Sequence, residues 1–301
     1  MRTCFIVNPV AGRGKSLTAM EKCGARLAQA GFSYDVVRTS RPGDATALAQ
    51  KLSAEGYELI VAAGGDGTIC ETAQGLTEAI SPAVLGILPG GTGNDYCRCL
   101  SIPSRPAEAA EVLLSGAPRT VDVMQVDEFI GLNISTIGFD SAVAQNAAKF
   151  PALGRFSYLF SVLYTAARFR RPELTISLDD GQVFTGKRYL FAAGCGTHYG
   201  GGIRVLPGSD PGDGLLDYCM LDRIRMPGDL FTTLPRFVKG TLAPSERLHR
   251  GRAKSLTIES PQGMTLNLDG NLFPGRTKIT MRILPGRLRI MAPAGLERKE
   301  P

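Results

Sequence analysis

The chain has 301 residues, 44% of them hydrophobic and 21% charged, a balance that excludes a disordered polypeptide and is long enough to bury a sizeable core without staples. Glycine is over-represented at 36 residues against a usual share of about 7%, yet it shows no triplet period, so collagen is excluded and the excess needs a local explanation. The net charge of +6 is compatible with nucleic acid, an anionic membrane surface or a phosphorylated ligand, and alone decides nothing.

In chain order, Thr3–Val7 reads as a strand, about 15–30 as a helix, Tyr34–Arg38 as a strand and about 44–55 as a helix. Glu58–Ala63 is an apolar strand, Ile69–Ala79 a helix and Val84–Leu88 another strand. Strands alternating with helices at this spacing predict βαβ units, a parallel sheet and helices on both faces. From about Val121 the pattern changes to strand-like runs at Val121–Val126, Leu174–Leu178, Arg188–Ala193, Leu215–Leu221, Ser255–Ile258, Met264–Leu268, Lys278–Ile283 and Arg287–Met291. Turn signals such as Asp179-Asp180-Gly181 and Pro285-Gly286 join them, which predicts an antiparallel sandwich. Helical interruptions are expected over about 155–169 and 227–238. The fold class expected is a doubly wound α/β domain over 1–124, then an antiparallel β-sandwich domain over 125–301.

Seven cysteines (4, 23, 70, 97, 99, 195 and 219) make an odd count without paired spacing, which fits reduced thiols in an intracellular protein better than a disulfide framework or a zinc site. The apolar run Cys4–Val7 is cut short by Asn8-Pro9, so no signal peptide is read, and no stretch reaches the ~20 apolar residues of a membrane span. A cytoplasmic protein is expected.

The unusual residues fall at the carboxyl ends of the first four strands. Strand one ends in Asn8-Pro9-Val10-Ala11-Gly12 and strand two in Thr39-Ser40; strand three runs into Gly64-Gly65-Asp66-Gly67-Thr68 and strand four into Pro89-Gly90-Gly91-Thr92-Gly93-Asn94-Asp95. In a doubly wound sheet that edge binds ligands. Glycines there let backbone N–H groups approach a ligand, and a helix starting just after adds its positive N-terminal dipole. Two such loops predict a polyphosphate cradle, with Asp66 as a carboxylate suited to a magnesium–nucleotide complex. Gly12-Arg13-Gly14-Lys15-Ser16 imitates the end of a Walker loop, but the loop's first Gly would fall on Pro9, so a Walker site is rejected.

Asn8-Pro9 with Gly12, Gly64–Thr68 with Glu71, and Gly90–Asp95 resemble the catalytic domain of diacylglycerol kinase-type lipid kinases, most of all the soluble bacterial members. The GGDGT element is shared with NAD kinases and phosphofructokinases; GGTGND narrows the match. Tyr199–Gly202, Pro207, Asp213–Asp217 and Leu268-Asp269-Gly270 continue the resemblance into the second domain. It implies an NAD kinase-like α/β domain, a β-sandwich, and ATP in the cleft between them. The nucleotide site it implies comprises Asn8, Pro9, Gly12, Thr39, Gly64, Gly65, Asp66, Gly67, Thr68, Glu71, Gly91, Thr92, Asn94 and Asp95. It implies a structural Mg2+ at Asp213, helped by Asp210 and Leu215, and Asp269 as the catalytic base for transfer to a lipid alcohol. Two departures stand out: the usual Asp-Gly-Glu is Asp269-Gly270-Asn271, and Cys70 stands where Asn is usual. An NAD kinase-like soluble kinase and a non-catalytic ATP- or lipid-binding regulator remain the alternatives, the second motivated by Asn271.

Phe156–Ala167 is charge-free, carries six large apolar or aromatic residues and ends in Arg168-Phe169-Arg170-Arg171. It reads either as an interfacial helix meeting an anionic membrane or as a core helix with a solvated end. Arg236 to Lys254 is a second basic cluster with the same two readings. His198 and His249 receive no role. Nucleic-acid binding is not expected, because no recognition module accompanies the charge, and the oligomeric state is left open, a dimer included.

Overall fold

The computed structural model describes residues 1–147, 149–150, 157–224 and 228–295. Strands β1 (Thr3–Val7), β2 (Asp35–Arg38), β3 (Leu59–Gly64) and β4 (Val84–Pro89) pair in parallel in the order β2-β1-β3-β4, linked by helices α1 (Lys15–Gln29), α2 (Asp44–Ala54) and α3 (Asp66–Glu78). Each of β1, β3 and β4 is buried along its whole length because helices cover both faces. The two-residue period divides their side chains: Cys4, Ile6, Ile60, Ala62, Leu85 and Ile87 enter the core with α2 and α3, whereas Phe5, Val7, Leu59, Val61, Val84 and Leu88 face α1 and a further helix, α5 (Pro106–Ser115). Pro106 starts α5, where its missing N–H costs nothing. A short helix, α4 (Asp95–Cys99), follows the second glycine loop.

The second half is antiparallel. It contains β5 (Ala117–Val126), β6 (Phe129–Gly131), β7 (Ile134–Gly138), β8 (Glu173–Leu178), β9 (Val183–Lys187), β10 (Leu190–Gly194), β11 (Leu216–Leu221), β12 (Leu248–Ala253), β13 (Ser255–Leu268) and β14 (Asn271–Ala292). Helices α6 (Phe139–Ala147), α7 (Ser157–Arg168), α8 (Gly228–Phe231) and α9 (Thr233–Val238) interrupt it. The main path runs β12-β11-β10-β7-β13-β14.

Two expected strand pairs are single strands. The runs at 255–258 and 264–268 join as β13, with a register shift between Glu259 and Met264. Those at 278–283 and 287–291 join as β14, and the expected Pro285-Gly286 turn is an irregularity between Leu284 and Leu288 against β5. Strand β12 lies inside the second basic cluster; only Leu248 and Ala253 of its residues are buried, so no apolar alternation marks it.

β14 stitches the halves together. Ile279, Met281 and Ile283 lie in the sandwich core, whereas Leu288 and Ile290 lie in the α/β core, with Ile290 paired in parallel to Leu85 of β4. Core membership changes within β5 too, between Val123 and Met124. The two domains therefore share continuous strands.

Candidate active site

The loops at the carboxyl ends of β1, β3 and β4 press on one another backbone to backbone. A Cβ on Gly12 would stand 2.2 Å from the carbonyl oxygen of Gly90, one on Gly91 2.5 Å from Cα of Gly65, and one on Gly90 2.8 Å from Cα of Ser16. Side chains cannot fit at these contacts, so the glycines at the three strand ends serve loop-to-loop approach. Gly67 differs: a Cβ there meets nothing within 4 Å, and the residue is exposed at the start of α3. Asn8 ties the first loop to the second, its Nδ2 donating to Thr68 Oγ1 at 3.1 Å, and Ser16 Oγ donates to the Asn8 carbonyl. Pro9 follows at the strand end, Thr39 is held by its N–H to the Val7 carbonyl at 3.0 Å, and Thr92 is exposed on the rim.

Two acidic residues of this edge are engaged within the protein. Asp66 accepts the backbone N–H groups of Asn94 (2.8 Å) and Asp95 (2.9 Å), capping α4 from another loop. Asn94 itself has a left-handed backbone, and its Oδ1 takes the Gly91 N–H. Burial raises the Asp66 carboxyl, the nearby Asp95 adds to this, and the N–H donors oppose it. Asp66 thus acts as a strut holding the second glycine loop. Glu71, one turn into α3, accepts the Ala45 N–H at 3.3 Å and so supports the first turn of α2.

Asp95 crosses to the second domain. Its buried carboxylate accepts the Gly201 N–H at 2.8 Å and pairs with Arg98 at 2.6 Å. The Tyr199–Gly202 loop is thereby fixed against the α/β domain. Between them lies a cleft of about 410 Å³ whose walls include Asp66, Gly67 and Gly93 on one side and Asp140, Asp269 and Asn271 on the other.

Asp269 sits in a left-handed turn between β13 and β14. Its oxygens accept the backbone N–H groups of Leu132 (2.7 Å), Asn133 (3.2 Å) and Ile134 (2.9 Å), and the Cys70 thiol donates to Oδ2 at 3.2 Å. Burial raises the Asp269 carboxyl, and these donors pull the other way. Burial also pushes the Cys70 thiol well up, with Asp269 adding to the shift, so it is a neutral donor. This is the structural use of the second departure noted in the sequence: Cys70 on α3 anchors the turn that carries Asp269.

Asp140 escaped the sequence reading. It stands in the first turn of α6, directly after β7, and accepts a hydrogen bond from the Thr136 hydroxyl. Burial raises its carboxyl to about 6, opposed by Thr136, by the Ser141 and Asp140 backbone and by the Asn267 side chain. No motif marks it; only the register does, because Thr136 of β7 lies opposite Asn267 of β13.

Asp210, Asp213 and Leu215 share one turn. Asp210 pairs with Arg119, Asp213 Oδ1 accepts the Leu215 N–H at 3.0 Å, and Arg252 stands 3.8 Å from Asp213 Oδ2. The donors are hard oxygens of the kind a magnesium ion takes, but they are engaged by protein groups. Among the described residues no group of three or more His, Cys, Asp or Glu side chains gathers to hold a metal.

Phe156, at the start of the apolar segment, lies outside the described residues. Within α7 the polar Ser161 and Thr165 point inward, bonding the Val143 carbonyl (2.6 Å) and Asn146 Nδ2 (3.0 Å) of α6. Phe160 (45% exposed) and Leu163 (63%) point outward. Arg168 stacks over Tyr164, whereas Arg171 is tied to the Asp222 carbonyl. Among the described residues no helix is long and apolar enough to cross a membrane.

The diacylglycerol kinase catalytic domain profile matches residues 2–126, and the YegS C-terminal NAD kinase beta sandwich-like domain profile matches 133–292. A Pseudomonas aeruginosa protein named "Probable lipid kinase YegS-like" is 35% identical over 269 residues, covering 89% of this chain and 87% of its own. A Staphylococcus saprophyticus "Diacylglycerol kinase" is 26% identical over 303 residues, covering 99% and 98%. The crystal structure of a diacylglycerol kinase from Bacillus anthracis superimposes with a TM-score of 0.75 at 26% identity, covering 98% of both chains.

Proposed function

The chain belongs to the diacylglycerol kinase catalytic-domain family of lipid kinases, and we propose that it transfers the γ-phosphoryl group of ATP to the hydroxyl of a membrane lipid such as diacylglycerol. The observation that carries this reading is the interdomain cleft, where the glycine loops of β3 and β4 face the Asp269–Asn271 turn. A polyphosphate lying along the strand-end edge would meet Asn8, Pro9, Gly12, Thr39, the Gly64–Thr68 loop and Gly91–Asn94, with the N-terminus of α3 directed at it. Glu71 and Asp95 would act on it through the loops they hold. Magnesium arriving with the nucleotide would offset the phosphate charge. The lipid hydroxyl would enter from the sandwich wall, opposite Gly67.

The substrate lies in a bilayer, so the enzyme has to reach it from the surface. The outward Phe160 and Leu163 on a helix whose Ser161 and Thr165 face inward support α7 as the membrane-contact element, with Arg168 and Arg170 beside anionic headgroups. A core helix would show the opposite arrangement.

Mass spectrometry of lipids from cells with and without the protein tests the reading. One phospholipid carrying an additional phosphate on its alcohol is expected to rise with the protein. An unchanged lipid profile together with measurable ATP binding would favour the non-catalytic regulator that Asn271 suggests.

A further inference from the structure

Resting on the lipid-kinase reading, we propose that Asp140, and not Asp269, takes the proton from the lipid hydroxyl. In this step the hydroxyl oxygen bonds to the γ-phosphorus, and the bond from that phosphorus to the β–γ bridging oxygen breaks with its electron pair leaving on ADP. The hydroxyl proton passes to the Asp140 carboxylate.

The two carboxylates line the same cleft, and burial raises both carboxyls; what separates them is their neighbours. Asp269 faces three backbone N–H groups and a thiol. A carboxylate offers about four lone-pair sites, and a backbone N–H can only donate. A proton placed on Asp269 takes one of those sites, so it would leave one buried donor without an acceptor and would itself find only the weak sulfur, an arrangement that costs about 1–3 kcal/mol. Asp269 is a positioning residue: it fixes the Leu132–Ile134 backbone.

Asp140 faces hydroxyls besides the Ser141 and Asp140 backbone and the Asn267 side chain. Thr136 Oγ1 is within hydrogen-bonding distance of Oδ2 and Ser141 Oγ is 3.5 Å from Oδ1. The Ser141 proton is already given to the Thr136 carbonyl at 3.1 Å, which leaves its lone pairs free. A hydroxyl donates to a carboxylate and accepts from a carboxylic acid, so the Thr136 and Ser141 hydroxyls can follow a change of protonation at Asp140, which the backbone N–H groups on Asp269 cannot. Its raised value near 6 suits a base working at neutral pH. The ionisable groups sharing the cleft are Asp66, Cys70, Asp95, Tyr96, Tyr199 and Asp269; α6 and β7 carry no other, and the described side chains of α7 bring Tyr164 and Arg168.

The test measures lipid phosphorylation against pH, with labelled ATP and vesicles of the lipid alcohol that the wild type phosphorylates. Asp140→Asn is expected to lower kcat at least thirty-fold with an unchanged ATP dissociation constant and melting temperature. The acid limb of the wild-type profile, centred near pH 6, is expected to vanish. A smaller fall, or an acid limb kept in Asp140→Asn and lost in Asp269→Asn, overturns the assignment. Should Asp140→Asn fail to fold, Thr136→Val is expected to displace the acid limb by half a pH unit or more, and an undisplaced limb overturns it equally. A wild-type protein that phosphorylates no lipid alcohol refutes the kinase reading itself, and the role of Asp140 falls with it.

Discussion

Replacing Gly67 and Gly91 separately by Ala distinguishes a glycine reserved for a ligand from one reserved for a neighbouring loop. At Gly91 the new Cβ would lie 2.5 Å from Cα of Gly65 and 2.9 Å from Asn94 Oδ1. Carbon atoms rest at about 3.5–4.0 Å, so the β3 and β4 loops would have to part by about 1 Å. Such overpacking costs about 1–3 kcal/mol, which Gly91→Ala should show as lost folding stability in urea unfolding. At Gly67 the Cβ meets nothing, and the residue lies in the first turn of α3. There the exchange should leave stability unchanged or raise it by up to about 1 kcal/mol. On the proposed reading the methyl group would occupy the space a phosphate takes, so nucleotide affinity should fall about tenfold or more, equivalent to at least about 1.4 kcal/mol. Binding of a fluorescent ATP analogue together with urea unfolding gives both quantities. Full ATP affinity in a folded Gly67→Ala protein would refute the placement of phosphate at this loop, and an unaltered Gly91→Ala stability would refute the account of the packed glycines.

Three other perturbations have defined outcomes. Asp95→Ala removes the acceptor for the Gly201 N–H and the partner of Arg98; unfolding stability should fall by about 2–3 kcal/mol, and hydrogen exchange should quicken in the 199–202 loop. Asp66→Ala leaves the Asn94 and Asp95 N–H groups without their acceptor, so the ligand-free protein should already be less stable by about 1–3 kcal/mol; a change seen only with magnesium–ATP bound would mark Asp66 as a metal ligand. Leu163→Asp combined with Arg168→Glu should weaken sedimentation with anionic vesicles severalfold while leaving ATP binding intact, and unweakened sedimentation would remove α7 from the membrane-contact surface.

The parallel half was legible because β1, β3 and β4 are buried on both faces and read as unbroken apolar runs. Its cluster of strand-end loops was legible because glycine and Asn8-Pro9 punctuate the strand ends. α5 was not legible, whereas α4 is the helix expected to follow Gly91–Asn94; it holds only five residues and takes its cap from Asp66, 29 residues away in sequence from Asp95. β13 and β14 were split because local irregularities at 259–264 and 284–288 look like turns in one dimension and are absorbed by partners in three. At the site, residue types were readable but their employment was not. Asp66 and Asp269 are carboxylates at the expected positions, yet backbone donors from loops distant in sequence claim their oxygens. Asp140 carries no motif and becomes visible only when β7 and β13 are paired.

The most direct test of the central claim is phosphoryl transfer itself. Purified protein is incubated with γ-labelled ATP, magnesium and vesicles presenting diacylglycerol, phosphatidylglycerol, a sphingoid base or a polyprenol, alongside soluble NAD. The expected result is label in one phospholipid product and none in NADP. Label in NADP, or no labelled product despite saturated ATP binding, would contradict the assignment of a lipid kinase.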